Sequence, residues 1–171
     1  MNFSIQRIIR RTLAPKHKIS CSKTLWKNLL SDLRARGGGR RESGAFLLGE
    51  RVGAVARITE FVLYDALDPA SLDTGIIRFD GRYFGALWEY CAKNNRTVVA
   101  DVHTHPCGSG QSDSDMANPM IACAGHLAFI IPNFAAPPLR LEEVGMYRYL
   151  GARRWETIPR RARTSFFHIG I

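Results

Sequence analysis

Residues 45–67 read AFLLGERVGAVARITEFVLYDAL, and this stretch decides the fold. Its first five residues form a short apolar run, which predicts a buried strand over Ala45–Gly49. From Ala54 to Leu67 the chain is rich in Val, Ile, Thr, Phe and Tyr, which predicts a long second strand. A turn near residues 51–53 joins the two strands, so we expect a β-hairpin.

A helix is predicted on each side of this hairpin. The first covers about Ser22–Arg36, where Ser22 is a suitable N-cap and three glycines follow the last turn. The second covers about Asp80–Lys93 and follows a polar loop over residues 68–78. Apolar residues recur at helical spacing in both. They are Leu25, Trp26, Leu29, Leu30 and Leu33 in the first helix, and Phe84, Leu87, Trp88 and Cys91 in the second.

Four further strands are predicted, over residues 97–103, 126–132, 143–150 and 154–158. Helices and strands therefore follow one another in mixed order, which indicates an α+β fold with a curved mixed β-sheet flanked by helices. We expect a basic N-terminal arm over residues 1–21, a globular domain over 22–159 and a basic, partly apolar tail over 160–171.

Charge and composition narrow the classes of function. The net charge of +9 is concentrated at the ends, since residues 1–41 hold 11 Lys/Arg and one acid, whereas residues 42–147 hold 7 Lys/Arg and 13 acids. An acidic middle is not typical of a nucleic-acid-binding surface, and no apolar run is long enough to span a membrane. The four cysteines are scattered and the basic start lacks a secretory signal, which favours a reducing cytoplasm.

The segment DVHTHP, residues 101–106, is the first part of a candidate metal site. His103 and His105 stand two apart in a predicted strand, so their side chains point to the same side. Pro106 favours an extended conformation at His105. A His-x-His pair alone is more often ordinary polar surface than a metal site, so the prediction depends on what surrounds it.

The segment SDSD, residues 112–115, supplies the second part. Ser112 can cap a short helix, and Asp115 would lie in its first turn, where it can be a third ligand. Asp113 is the alternative. Two histidines and one carboxylate suit Zn²⁺ and leave a fourth position open for water, as catalytic zinc requires.

A hydrolytic metal site also needs a base for its water. Glu42 stands directly before the buried strand, in the segment ESGAFLLG over residues 42–49, and this strand can bring it to the site. Glu50, just after the segment, is the alternative. His126 opens a strand close to the motif in sequence, and we expect it to be structural.

These three separated segments resemble the JAMM signature of the JAB/MPN zinc metallopeptidases, over roughly residues 22–150. The resemblance implies a curved mixed sheet of the MPN/JAB, cytidine-deaminase-like architecture. It also implies that His103, His105 and Asp115 bind zinc, that Glu42 is the general base and acid, and that Ser112 holds the water or the oxyanion. One departure is that six residues, rather than the usual seven, separate His105 from Ser112.

The resemblance further implies a zinc-dependent isopeptidase, which hydrolyses the bond between the C-terminus of a ubiquitin-like protein and a target or extension. The segments over residues 41–49 and 101–106 are similar to the deubiquitinase-like peptidase of bacterial ubiquitin-like conjugation (Bil-type) operons, some of which act in antiphage defence. The resemblance implies E1-like and E2-like partners. It leaves open a metal-free MPN scaffold, a nucleic-acid-associated RadC-like protein and a peptidase that processes sulfur carriers.

Overall fold

The predicted hairpin forms and lies at the centre of one eight-stranded sheet. The structure, a computed structural model, describes residues 18–170. Its strands are β1 (Ile19–Ser22), β2 (Gly44–Val52), β3 (Val55–Leu63), β4 (Thr97–Thr104), β5 (Leu127–Ile131), β6 (Gly145–Gly151), β7 (Arg154–Thr157) and β8 (Phe167–Gly170). Its α-helices are α1 (Lys23–Gly37), α2 (Tyr64–Leu67), α3 (Phe84–Lys93), α4 (Asp113–Ala117) and α5 (Arg163–Phe166).

The sheet is mixed and strongly curled, with the strand order β7-β6-β5-β4-β2-β3-β1-β8. β2 is antiparallel to both β3 and β4, β4 is parallel to β5, and β1 is parallel to both β3 and β8. This arrangement confirms the α+β fold with a curved mixed sheet flanked by helices. No helix within residues 18–170 combines the length and the apolar character that crossing a membrane would require.

Helix α1 covers one face of the sheet. The Ser22 hydroxyl accepts a hydrogen bond from the Leu25 amide at 3.1 Å, and Gly38 ends the helix in a left-handed conformation with φ of 57°. Three residues of the predicted stripe, Trp26, Leu29 and Leu33, are buried in the larger core cluster. The predicted helix is therefore confirmed, and burial of this apolar face is its main source of stability.

A smaller core covers the other face and supports the candidate site. Phe46 and Leu48 of β2 pack there with Tyr64 of α2 and Leu87 of α3, and all four are fully buried. Three aromatic rings surround Phe46 edge-on or tilted, at centroid distances of 4.8–5.9 Å. Such edge-on contacts add to the stability that burial alone gives.

Two sequence predictions are wrong in detail. The second strand ends at Leu63 rather than Leu67, because the chain turns into α2 and buries Tyr64 in the smaller core. Trp88 was expected in the core of its helix but is 46% exposed, since it lies beside the buried face and stacks on Phe84 instead.

The two ends of the described chain lie side by side at one edge of the sheet. β1 includes Ile19–Cys21, which were assigned to the basic arm, and β8 comes from the C-terminal tail. Ile19 aligns with Phe167, and both are buried in the larger core. Parts of both flanks thus add strands to the sheet, while the proposed domain boundaries remain predictions.

Gly44 is a point of close contact between β2, β4 and α2. A Cβ atom at this position would collide with the Tyr64 ring and lie 2.8 Å from the carbonyl oxygen of Val102. Because a backbone carbonyl in the middle of a sheet cannot easily move aside, only glycine fits here.

We therefore expect Gly44→Ala to lower the free energy of unfolding by about 1–3 kcal/mol, as overpacking a core does. The measurement is urea unfolding followed by circular dichroism. Gly85→Ala is the matched control, since a Cβ at Gly85 in α3 meets nothing within 4 Å. The control should be unchanged or slightly more stable because alanine favours helix. Equal stability of the two variants would contradict the predicted clash.

Candidate metal centre

Three potential metal ligands converge at the end of β4. The Nε2 atoms of His103 and His105 are 3.0 Å apart, because residues two apart on a strand share one side. The Asp115 carboxylate lies 3.4 Å from the first of these nitrogens and 3.3 Å from the second. All the ligand atoms of this group lie within 4.8 Å of one another.

These distances suit a small divalent cation. A tetrahedral ion with bonds of about 2.0–2.1 Å has ligand atoms separated by about 3.3 Å. The imidazole nitrogens are 3.0 Å apart, and each lies 3.3–3.4 Å from a different oxygen of the Asp115 carboxylate, so the group is close to this size. Two imidazole nitrogens and one carboxylate oxygen form a donor set that borderline metals such as zinc accept, so the group can bind a metal.

Asp115 is held in place by the start of α4. The Ser112 amide and hydroxyl both donate to Asp115 Oδ2, at 2.7 and 2.8 Å, while the Asp115 amide bonds back to the Ser112 hydroxyl at 3.2 Å. This capping box fixes the carboxylate before any metal binds. The predicted cap and the position of Asp115 in the first turn are confirmed.

The loop of six residues between His105 and Ser112 is tied to the sheet and still delivers Ser112 to Asp115. The carbonyl oxygen of Cys107 accepts a hydrogen bond from the Asn133 amide at 3.1 Å, and that of Ser109 accepts one from the Tyr147 hydroxyl at 2.7 Å. The short loop is therefore compatible with the three-ligand group.

Glu42 faces this group from the segment directly before β2. Its Oε1 lies 3.8 Å from Nε2 of His105, and its Oε2 accepts a hydrogen bond from the Ile77 amide at 3.3 Å. Its own amide donates to the carbonyl of Gly75 at 2.9 Å. The carboxylate is thus oriented by the loop that follows α2, close to the metal ligands but not one of the three.

Ser43 and Thr104 connect the Glu42 segment to the histidines. The Ser43 amide donates to the Thr104 hydroxyl at 3.0 Å, and the Thr104 amide donates to the Ser43 carbonyl at 2.9 Å. The Ser43 hydroxyl also donates to the carbonyl of Leu33 at 2.7 Å, which ties both strands to α1. Both residues are fully buried. Because each precedes or follows a site residue directly, this pairing sets the distance between Glu42 and His105.

Contacts between the histidines and the Asp115 carboxylate shift the pKa values of His103 and Asp115. Burial opposes protonation of His103, but contact with Asp115 and the charges of Asp101 and Glu42 raise its pKa above the ordinary value. Burial likewise opposes ionisation of Asp115, yet its bonds to both histidines hold the pKa of this carboxyl far below its usual range. Asp115 is therefore ionised at neutral pH, as a ligand must be.

The alternative residues lie apart from the ligand group. Asp113 is exposed on α4, and Glu50 lies near the far end of β2, aligned with Arg57. His126 is buried, and its Nε2 lies 2.6 Å from Oδ1 of Asp101. The structure thus places His126 behind the site in a buried polar pair.

Four residues near the site could not be singled out from the sequence as its neighbours: Ser43, Tyr64, Asp101 and Thr104. The one available signal was the spacing of Asp101, which stands two residues before His103 and so shares its side of the strand. The contacts of the other three depend on pairing between distant segments.

Comparisons with known proteins agree with this picture. No family model matches the chain. It is 32% identical over 73 residues to a protein of Sinorhizobium fredii named "Probable metalloprotease y4jG". This match covers 43% of the chain and 44% of that relative, so less than half of either protein is compared.

The structure of protein DSY2949 from Desulfitobacterium hafniense, determined in solution, has the same fold. It superposes with a TM-score of 0.63 over 82% of this chain and 90% of that one, at 17% sequence identity. At this identity the likeness concerns the fold alone.

We expect Asp115→Asn to lose most of its bound metal, because an amide is a far weaker ligand than a carboxylate. Asp113→Asn should keep the metal, since Asp113 is not a member of the ligand group. Metal content is measured by mass spectrometry after dialysis against zinc. In parallel, free zinc at 100 times its Kd should stabilise the wild type by about 2.7 kcal/mol, but not Asp115→Asn. If Asp113→Asn lost the metal and Asp115→Asn kept it, the third ligand would be Asp113 and the assignment of Asp115 would be wrong.

Proposed function

We propose that this protein is a zinc-dependent JAMM-type isopeptidase, which hydrolyses the bond between the C-terminus of a ubiquitin-like protein and a target or extension. The observation that carries the proposal is the position of Glu42. Its carboxylate comes within 3.8 Å of His105 although about 60 residues separate the two in sequence. A metal-binding scaffold needs only the ligands, whereas a hydrolase also needs a base beside them.

In this proposal His103, His105 and Asp115 hold the zinc ion. When bound, zinc would supply Lewis acidity, which makes a water molecule nucleophilic near neutral pH and polarises the scissile carbonyl. Glu42 Oε1 accepts the proton that the attacking water releases, and the same carboxyl then donates it to the departing amine. The bond from the Ile77 amide to Oε2 leaves Oε1 free for both transfers.

Two roles are proposed for Ser112, one in holding Asp115 and one in the reaction itself. Its hydroxyl already donates to Asp115 and accepts from the Asp115 amide, so it positions the carboxylate ligand. The role implied by the family resemblance, holding the water or the oxyanion, remains a prediction. To donate to an oxyanion, the hydroxyl would have to turn away from Asp115 during the reaction.

The acyl side of the substrate is proposed to approach along the loop that follows α2. The tail of a ubiquitin-like protein, usually ending in Gly-Gly, would bind extended beside residues 68–79, since residues 64–67 are helical. Ile76 in this loop is 46% exposed and borders the same pocket as Glu42 and Asp115, so it offers the tail an apolar contact. The named relative, a probable metalloprotease, supports the hydrolytic part of the proposal.

Glu42→Gln should reduce kcat by about 10²–10⁴ while zinc remains bound, because the amide cannot accept the proton. The assay pairs zinc content with cleavage of a ubiquitin-like protein fused through its C-terminus to a peptide. Glu50→Gln, near the far end of the strand β2 that Glu42 precedes, is the matched control and should keep full activity. Wild-type turnover by Glu42→Gln would exclude Glu42 as the base. A zinc-loaded wild type that cleaves neither fusions nor conjugates would favour the scaffold.

The conjugation partners are proposed on the charge of the N-terminal arm. Residues 1–16 hold four Lys/Arg and no acid, and every proposed site residue lies at or beyond Glu42. In a cytoplasmic conjugation system, such an arm can steer an acidic E1-like, E2-like or ubiquitin-like partner, and this steering weakens with salt.

Deletion of residues 1–16 tests this role and keeps Lys18, whose backbone bonds to Ala56 and Phe166 belong to the part of the sheet that the structure describes. We expect a peptide that mimics the cleaved tail to be cut at the wild-type rate. A full protein conjugate should be cut more slowly at low salt, and the difference should vanish at high salt. Equal loss on both substrates would indicate a structural role, and salt-dependent DNA binding lost with the arm would favour the nucleic-acid alternative.

A further inference from the structure

A small pocket extends from the ligand group along the face of the sheet. It has a volume of about 120 Å³ and is bordered by β4, β5, α4 and the segment after α4. Since a water molecule occupies about 30 Å³ of liquid, the pocket has room for roughly four water-sized groups, about the size of one side chain. The proposed mechanism uses only the end of the pocket that holds Glu42 and the three ligands.

Asp101 places a carboxylate on the wall of this pocket, beyond the ligands. It stands two residues before His103 on β4 and therefore shares its side, roughly 6.6 Å further along the strand. The residue is 3% exposed, and its Oδ1 is bonded to Nε2 of His126 at 2.6 Å. Within residues 18–170 the Tyr64 hydroxyl is a second neighbour that bonds to this carboxylate. A carboxylate has about four lone-pair sites, so Asp101 can accept a further donor from a ligand in the pocket.

The Tyr64 hydroxyl lies against the Asp101 carboxylate from the smaller core. It is fully buried, and Asp101 is the group that it bonds to. Burial, and then the nearby Asp101 carboxylate, raise the pKa of Tyr64 well above its usual value, so the hydroxyl is neutral and lies close to Asp101. Tyr64 and His126 thus hold the Asp101 carboxylate in place behind His103.

The charge and the walls of the pocket define the chemistry of that ligand. The carboxylates of Glu42, Asp101 and Asp115 carry three formal negative charges, one more than a divalent ion would neutralise. Met120, Ile130 and Trp155 line the same pocket with apolar surface. A cationic group on an apolar stem matches this combination, because its stem packs on the walls while its head meets the carboxylate.

We propose that the Asp101 end of this pocket is a specificity subsite that binds an ammonium group on the leaving side of the scissile bond. This inference rests on the proposed function and names its substrate: an extension joined to the ubiquitin-like C-terminus through an α-amine, with lysine as its first residue. The four-carbon stem of lysine has about the reach that separates Asp101 from the metal ligands. An isopeptide-linked lysine cannot use the subsite, because its only side-chain nitrogen is the scissile one.

Binding of a matched pair of small molecules tests the subsite without any cleavage. The zinc-loaded full-length chain is titrated with n-butylammonium and, separately, with 1-butanol, and the NMR signal of the Trp155 indole N–H reports occupancy. We expect at least tenfold tighter binding of the ammonium. Equal binding of the two molecules overturns the proposal, and this includes the case in which a proton on His126 cancels the charge of Asp101.

Substitutions distinguish the effect of the Asp101 charge on binding from the effect of a disturbed fold. Asp101→Asn should bring the two affinities together, whereas Glu89→Gln, an exposed acid on α3, should leave the difference unchanged. Because Asp101→Asn also alters the buried pair with His126, Met120→Lys provides a second test. The ammonium group of the introduced lysine should occupy the subsite and abolish binding of n-butylammonium. Met120→Gln, which introduces no charge, should leave that binding unchanged. Unchanged binding in both Asp101→Asn and Met120→Lys would contradict the subsite.

Cleavage then distinguishes this inference from the proposed function. Two fusions of a ubiquitin-like protein are compared, one with lysine and one with the neutral isostere norleucine directly after the cleavage point. We expect a kcat/KM about tenfold higher for lysine, and no difference with Asp101→Asn. Cleavage of both at equal kcat/KM would overturn the subsite and leave the proposed function intact. If neither is cleaved while the ammonium still binds tightly, the proposed function fails and the subsite's role in substrate specificity is overturned with it, although Asp101 still binds a cation.

Discussion

The site depends above all on the pairing of β2 with β4, and on the buried contact between Ser43 and Thr104 that ends it. Two backbone and hydroxyl bonds of 2.9 and 3.0 Å join these residues, and a third bond ties Ser43 to α1. Ser43 directly follows Glu42, and Thr104 stands between the two histidines. A shift of this pairing by one residue would turn the side chains of either strand to the opposite face, so the register itself keeps Glu42 beside His105.

Close packing around Gly44 maintains this register. Gly44 aligns with His103 across the two strands, and the Tyr64 ring covers it where any side chain would collide. The short helix α2, which interrupts the predicted strand, is what brings Tyr64 to this position. The smaller core therefore stabilises the fold and also holds one wall of the metal centre.

The concentration of charge at the site is tolerable because each group compensates another. Asp115 contacts both histidines and is held by the capping box of α4, and Asp101 is bonded to His126. Unpaired buried charges would be strongly destabilising. A divalent ion among these carboxylates would remove most of their mutual repulsion, which is why metal binding and stability are expected to be coupled.

The sequence by itself determined the parts of the site that are local. The shared side of His103 and His105 follows from the two-residue period of a strand, and the contact of Ser112 with Asp115 follows from the geometry of a helix start. Helix α1 could be predicted for the same reason, as its cap and its apolar stripe lie within 16 residues of one another. Glu42 was proposed from its place directly before a buried strand and from the resemblance of its segment to the JAMM signature, rather than from any contact that the sequence implies.

Only the tertiary structure decided the rest. The parallel pairing of β1 with β8, the end of β3 at Leu63 and the buried pair of Asp101 with His126 join segments that are distant along the chain. No periodicity or capping signal encodes such contacts, because they depend on how the strands order themselves in the sheet. For that reason the group that can bind a metal could be predicted from the sequence, whereas the Asp101 carboxylate behind it became apparent only once β4 and β5 lay side by side.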